Sequence, residues 1–376
     1  MKPTFFDNLL QYDWNEIANR IRNATDMSVT TAISNASNNT ALTDDDIIAL
    51  LSPAAAHHLE ELATISRAKT QRRFGKNIQL YIPLYLSNYC TNSCTYCGFS
   101  GKNKINRKAL TDAEILQEVN AIKEMGYEHI LLVTGESTKH AGVDYLLNAI
   151  NLIKPYFACI SAEIQPLDTA DYAKLIDAGL NAVYVYQETY NKNNYTIYHP
   201  AGKKSDFAYR LATPERLGDA GIYKIGSGAL LGLENWQVEG FFLAQHLRFL
   251  IKHYWRSKYS ISFPRIRPQV GGFEPKYPVS DKELAQLIWA LRLFDEDVEI
   301  SLTTRENATF RNNMLSLGIT SMSAGSKTEP GGYATQHNRL EQWSINDSRS
   351  PIELVSEINK QNYSALWKDW DKFFVV

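Results

Sequence analysis

QLYIPLYLSNYCTNSCTYCG, Gln79 to Gly98, is a β-rich run that breaks into a loop carrying three cysteines. Gln79–Ser87 reads as a strand, because aromatic and β-branched side chains suit a pleated surface, and the polar residues after it read as its exit loop. Cys90, Cys94 and Cys97 follow at C-x3-C-x2-C spacing. Three thiolates on one short loop can bind three irons of a cubane cluster, which leaves the fourth iron open to another ligand. A closed zinc site wants four ligands in paired motifs, and no second Cys/His pair stands at suitable spacing. An electron-transfer ferredoxin wants a fourth cysteine close by. Cys159 is the remaining cysteine, and at the start of an apolar strand it reads as a reduced core thiol.

Outward from this stretch, short β-rich runs alternate with helical patterns. The further candidate strands are His129–Thr134, Cys159–Gln165, Ala182–Gln187, Lys224–Leu230, Tyr259–Arg265, Val298–Thr303 and Ile319–Ser323. Between them, Thr111–Met125 opens on a capping box of Thr111 and Glu114, and Asp168–Ala178 stops at Gly179. Glu234–Tyr254 and Ser280–Phe294 follow the same logic. Strands alternating with helices imply right-handed parallel crossovers, and eight of them imply a closed (β/α)8 TIM-type barrel. A six-strand partial barrel or an open doubly wound sheet is the alternative. The cysteine loop, following the first strand, then lies at the C-terminal mouth, where such barrels keep their active sites. Residues 1–75 read as a helical extension, with Thr43 capping a helix that begins at Asp44, Asp45 and Asp46. The barrel spans 76–326, and 327–376 is a C-terminal segment packing on it.

The chain has 376 residues, 44% hydrophobic and 21% charged, with a formal net charge of -2. Its cations are scattered among acids, so neither nucleic acid nor an acidic lipid surface is expected as partner. No apolar run approaches the ~18 residues needed to span a bilayer, and no secretory signal is evident. Four cysteines, three of them clustered, do not form a disulfide framework; reduced, metal-binding thiols point to the cytoplasm.

The C-x3-C-x-aromatic-C pattern, with Tyr96 in the aromatic place, resembles the signature of the radical S-adenosylmethionine (SAM) superfamily. Further segments resemble its aromatic amino acid lyases, nearest to the tyrosine lyases of thiamine biosynthesis. These are VTGES (Val133–Ser137), EIQPL (Glu163–Leu167), YQETYN (Tyr186–Asn191) and HPAGKKSDFAYRL (His199–Leu211). IGSGALLGL (Ile225–Leu233), SLTTRE (Ser301–Glu306) and SMSAGSKTEPGGY (Ser321–Tyr333) complete the set. The resemblance implies a 4Fe–4S cluster held by Cys90, Cys94 and Cys97, with SAM chelated to the open iron. It implies reduction by flavodoxin or ferredoxin, a 5′-deoxyadenosyl radical, and hydrogen abstraction from the amino group of L-tyrosine. Cleavage of the Cα–Cβ bond then yields 2-iminoacetate and p-cresol. Because the imine hydrolyses readily, the resemblance also points to thiazole synthase as the accepting partner. The related tyrosine lyases of hydrogenase maturation carry further cysteines in a C-terminal extension, whereas here no cysteine follows Cys159. Tryptophan lyases, a non-catalytic iron–sulfur electron carrier and a zinc-stabilised binding protein are the rival readings.

Carried onto this chain, the resemblance places Glu136 at the cofactor's amino group, in a Gly-Gly-Glu segment whose first glycine is replaced by Thr134. Glu163, sharing a strand face with Ser161 and Gln165, falls to the cofactor ribose. Gln187 follows the fourth strand, Arg210 suits the cofactor carboxylate, and Gly226 and Gly228 permit close approach of adenine. A free amino acid needs a cation for its carboxylate. Arg305 is the expected anchor, supplemented by Ser321 and Ser323, with Arg265 and Arg267 as rivals.

Overall fold

The computed structural model of the chain describes residues 3–334 and 341–368. Strand β1 (Asn77–Ser87) pairs in parallel with β2 (His129–Thr134) along one edge and β8 (Ser321–Ser323) along the other. β3 (Cys159–Glu163), β4 (Ala182–Tyr184), β5 (Lys224–Gly228), β6 (Lys258–Ser262) and β7 (Glu299–Leu302) complete a closed, eight-stranded parallel barrel. All the expected strands are present. Several stop short of their expected C-terminal ends, because the chain leaves the ladder there to build the mouth. Pairing survives only as isolated bridges, Glu188 with Ala229 and Leu231 with Arg265.

A ninth strand, β9 (Ser364–Leu366), was not legible in the sequence. It pairs with Asn77–Gln79, the part of β1 that lies before β2 begins its register opposite Ile82. Its backbone groups thus meet partners that would otherwise face an open edge.

Five helices precede the barrel: α1 (Phe5–Leu9), α2 (Trp14–Arg22), α3 (Asp26–Ser37), α4 (Asp44–Leu50) and α5 (Leu59–Phe74). The outer ring comprises α6 (Asp112–Glu124), α7 (Val143–Ile153), α8 (Thr169–Ala178), α9 (Tyr195–Tyr198), α10 (Phe207–Leu211) and α11 (Thr213–Asp219). It continues with α12 (Trp236–His253), α13 (Asp281–Phe294), α14 (Ala308–Met314) and α15 (Pro351–Lys360). Reciprocal capping boxes start α6 (Thr111, Glu114), α13 (Ser280, Glu283) and α4 (Thr43, Asp46). The first helices pack on α12 and α13, where the Phe5 ring stacks on His246 at 4.1 Å.

Alternation along β1 separates two environments. Ile78, Leu80, Ile82, Leu84 and Leu86 are buried against the helices, while Tyr81, Pro83 and Tyr85 line cavities inside the barrel. On its inner face β1 therefore supplies two aromatic rings and a proline rather than aliphatic side chains.

Candidate active site

The cysteine loop is held from every side. Thr91 N donates to Glu136 O (2.9 Å), Ser93 N to Ala201 O (3.0 Å), Thr95 N to Tyr198 O (3.0 Å) and Gly98 N to Gln342 O (3.1 Å). The Arg107 guanidinium gathers the carbonyls of Asn88, Phe99, Ser100 and Asn103. Gly135 and Gly98 are required by close approach: a Cβ on the first would collide with Tyr89 O and on the second with Gln342 O. No disulfide joins the cysteines. Burial pushes the thiols of Cys90 and Cys97 up and that of Cys94 up to about 12.

All three cysteines open onto a cleft of about 890 Å³ at the barrel mouth, together with Tyr96, Glu136, Glu163, Arg210 and Arg305. Its outer wall is a chain of alternating charges. Glu136 accepts from Asn92 Nδ2 (2.7 Å) and Arg210 Nη1 (2.9 Å), and Arg210 Nη2 lies 3.6 Å from Glu188. Glu188 in turn accepts from Lys204 Nζ at 2.6 Å. Burial would raise the Glu136 carboxyl, but Arg210 and Lys204 hold it below the usual range. Glu188 adopts φ 72°, a left-handed conformation unusual for a buried non-glycine residue, and is kept there by its two cationic partners. Tyr96 donates to His199 Nε2 (2.8 Å), and the other ring nitrogen lies 2.9 Å from Tyr195 O. That carbonyl can only accept a hydrogen bond, so Nδ1 carries the proton and His199 is a neutral spacer; burial, then Lys204 and Arg210, holds its pKa well below normal.

Beneath the cleft lies an inner chamber of about 530 Å³, sharing Glu163, Tyr186, Pro264, Arg305, Gln342 and Trp343 with it. Tyr81, Tyr85, Leu131, Val133 and Ser323 form its deeper walls. The Arg305 guanidinium lies 4.0 Å over the Trp343 ring and forms no salt bridge among the described residues. By contrast, Arg265 is consumed by Glu306, Asp281 and the Val279 carbonyl. Of the two spaces, Arg267 lines only the upper cleft, with its buried Nε unpartnered among the described residues. Glu163 sits where the two spaces meet; burial, then Glu188, pushes its carboxyl up to about 7.

Other expected residues fall elsewhere. Ser321 lines a separate lower chamber with Ser161, two residues further down the barrel than Ser323 and Glu163. Gln165 bonds the Ala141 carbonyl outside the inner chamber. Gln187 is buried with both side-chain amide atoms unpartnered among the described residues and is not among the cleft-lining residues; its neighbour Glu188 is. Gly226 and Gly228 clear space for the rings of Tyr184 and Tyr186, which a Cβ at either position would strike. Sequence reasoning passed over Asn92, Lys204, Tyr186, Gln342 and Trp343. Lys204 lay within the quoted HPAGKKSDFAYRL segment, but a lysine beside another lysine reads as solvated until its burial is known.

A profile of the radical SAM superfamily matches residues 84–242, and one of the biotin and thiamin synthesis associated domain matches 262–364. The chain is 48% identical over 371 residues to the 2-iminoacetate synthase of Escherichia coli (strain K12), covering 98% of this chain and 97% of that protein. The chain belongs to the 2-iminoacetate synthase family of radical SAM proteins. Its fold is shared with HydG, a maturase of FeFe-hydrogenase (TM-score 0.91, 30% identity, 96% of this chain and 81% of that one). The HydG of Carboxydothermus hydrogenoformans aligns with a TM-score of 0.87, at 30% identity, over 94% of this chain and 82% of that one.

Radical SAM proteins use a 4Fe–4S cluster and SAM, and this family member has residues that fit both. Among the described residues no three His, Cys, Asp or Glu side chains converge on a single-ion site. The three thiols instead share one cleft with a paired acid and base. Thiolate is the donor such clusters take. The buried Thr134 hydroxyl, which has no hydrogen-bond partner among the described residues, lines the same cleft and marks a place for a polar ligand. No helix among the described residues is long and apolar enough to cross a membrane.

Proposed function

We propose that this chain is a tyrosine lyase that cleaves the Cα–Cβ bond of L-tyrosine to 2-iminoacetate and p-cresol. The observation that carries this reading is Arg305, a cation without a salt bridge among the described residues, stacked on Trp343 in a cavity that opens toward the three cysteines. A desolvated amino acid carboxylate needs such a partner, and the planar guanidinium meets it bidentately. Tyr81, Tyr85 and Tyr186 offer rings and hydroxyls to an aromatic side chain held below. Ser323 lines the same chamber, whereas Ser321 would act only on a group reaching the lower one.

Cys90, Cys94 and Cys97 hold the cluster, Glu136 takes the cofactor's ammonium and Arg210 its carboxylate. The two side chains neutralise each other until then. When bound, cluster and SAM supply one-electron cleavage of a sulfonium and hence hydrogen-atom abstraction from the substrate amine. Tyr96, with its hydroxyl tied to His199, forms part of the wall beside the cysteines, and Gly226 and Gly228 keep that space narrow by admitting the Tyr184 and Tyr186 rings. Glu163, at the junction of the two spaces, is placed to bond cofactor ribose or substrate amine. With substrate and cofactor seated, the aromatic and aliphatic walls leave little room for water, which would hydrolyse the imine. Direct hand-over to thiazole synthase, and reduction by flavodoxin or ferredoxin in the cytoplasm, complete the reading.

The test is anaerobic. The chain is reconstituted with iron and sulfide, reduced, and given SAM with tyrosine or tryptophan. Formation of p-cresol and 5′-deoxyadenosine with tyrosine is expected; an intact cluster yielding neither would refute the assignment, and products only with tryptophan would reassign the substrate.

A further inference from the structure

Residues 341–347 cross the barrel mouth as a strap. Gln342 N donates to Thr328 O (2.9 Å), Ser344 N to Pro268 O (3.0 Å), and Asn346 N and Asp347 N to Thr304 O (3.0 and 3.1 Å). At the strap's front end the Gln342 carbonyl accepts from Gly98 N, the residue after Cys97. Its side chain carries a second link. Gln342 Nε2 lies 3.6 Å from Cys97 Sγ, while Oε1 accepts from Tyr85 OH (2.8 Å) and from Trp343 Nε1 (3.1 Å).

Chemistry fixes the orientation of this amide. An indole N–H can only donate, so the atom facing Trp343 must be the oxygen. The NH2 is then turned to sulfur. Tyr85 and Trp343 are walls of the inner chamber, and Trp343 also carries Arg305. A carboxamide is thus gripped on one side by the proposed substrate chamber and points on the other at a cluster ligand.

We propose that Gln342 is a positioning residue that donates a hydrogen bond to the Cys97 thiolate and transmits the filling of the inner chamber to the cluster's reduction potential. A hydrogen bond to a cluster sulfur favours the more negative, reduced state and so raises the potential. Binding of an amino acid against Arg305 and Trp343 presses on the same indole that aims the amide. The second half of this inference rests on tyrosine being the substrate; the first half does not.

The experiment compares the reconstituted wild type with Gln342→Leu and Gln342→Glu. Gln342→Glu keeps an acceptor for Tyr85 and Trp343, so the strap stays seated, but it has no N–H for Cys97. Iron and sulfide content establishes loading, and redox titration followed by electron paramagnetic resonance gives the midpoint with and without L-tyrosine. Both variants should load fully and shift to a more negative midpoint, Gln342→Leu through the lost N–H alone and Gln342→Glu through that loss and its added negative charge, and the tyrosine-induced change expected of the wild type should disappear. A wild-type midpoint in Gln342→Leu, which removes the N–H without adding charge, would overturn the proposal. Failure of the wild type to form p-cresol would count against the substrate reading alone, because the midpoint difference between wild type and variants is read without tyrosine.

Discussion

Glu163 shows how a single carboxylate ties the site to the stability of the chain. Its carboxyl is pushed from 4.5 up to about 7, by burial first and by Glu188 second. A folded-state pKa above the unfolded one means that the folded chain binds the proton more tightly. The stability this adds is complete below about pH 4.5 and is lost as the pH rises through about 7. Thermal unfolding of the chain without iron should therefore show a midpoint falling across this window, and Glu163→Gln should flatten that fall. An equally steep fall in the variant would contradict the assignment. Arg305 is tested through KM. Loss of a charged hydrogen bond of about 1.5–3 kcal/mol predicts that Arg305→Ala raises the KM for tyrosine by roughly 10- to 100-fold. Arg305→Lys should recover only part of this, since a point charge cannot bond a carboxylate bidentately.

At the scale of elements, the strap is fastened by a buried ion pair. Arg311 of α14 bonds Asp347 and the Ser323 carbonyl at the end of β8, and both partners are inaccessible to water. Removing one partner would strand a buried charge. Asp347→Ala is expected to cost about 3–5 kcal/mol in urea unfolding, far more than the ~0–1 kcal/mol of an exposed pair. Helix α1 reaches the site by a longer route. Its Phe5 stacks on His246 of α12, and Glu239 of the same helix accepts from Thr189 Oγ1 and from Tyr190 N (2.9 Å), next to the strained Glu188. Phe5→Ala should cost about 3–5 kcal/mol by the same measurement. The helix starts were legible because capping is local: Thr111 with Glu114 and Ser280 with Glu283 lie three residues apart. β9 was not legible, since its three residues are defined only by the β1 edge that receives them.

For the molecule as a whole, the cluster site is a cost until it is filled. Burial pushes the Cys90, Cys94 and Cys97 thiols further above their ordinary range, beside buried charges whose attraction only partly offsets their loss of water. Loading deprotonates the thiols, binds only the folded chain and so must stabilise it. The reconstituted chain should melt at a higher temperature than the chain without iron, and protons should be released on loading at constant pH. Equal melting temperatures would mean that the cysteines bind no cluster in the folded state.

Cys90, Cys94 and Cys97 were readable from the chain because ligand spacing on one loop is a local property, carried within eight residues. The barrel was readable for a similar reason, strand and helix periods being local too. What only the tertiary structure decided lies in pairs remote in sequence. Gln342 meets Cys97 across 245 positions, Arg210 meets Glu136 across 74, and Lys204 gains its meaning from Glu188 and from burial. Gln187 and Glu188 are adjacent in the chain, yet only Glu188, at φ 72°, lines the cleft. Local patterns set which elements form, but the direction of a mouth-loop side chain depends on every element that meets there.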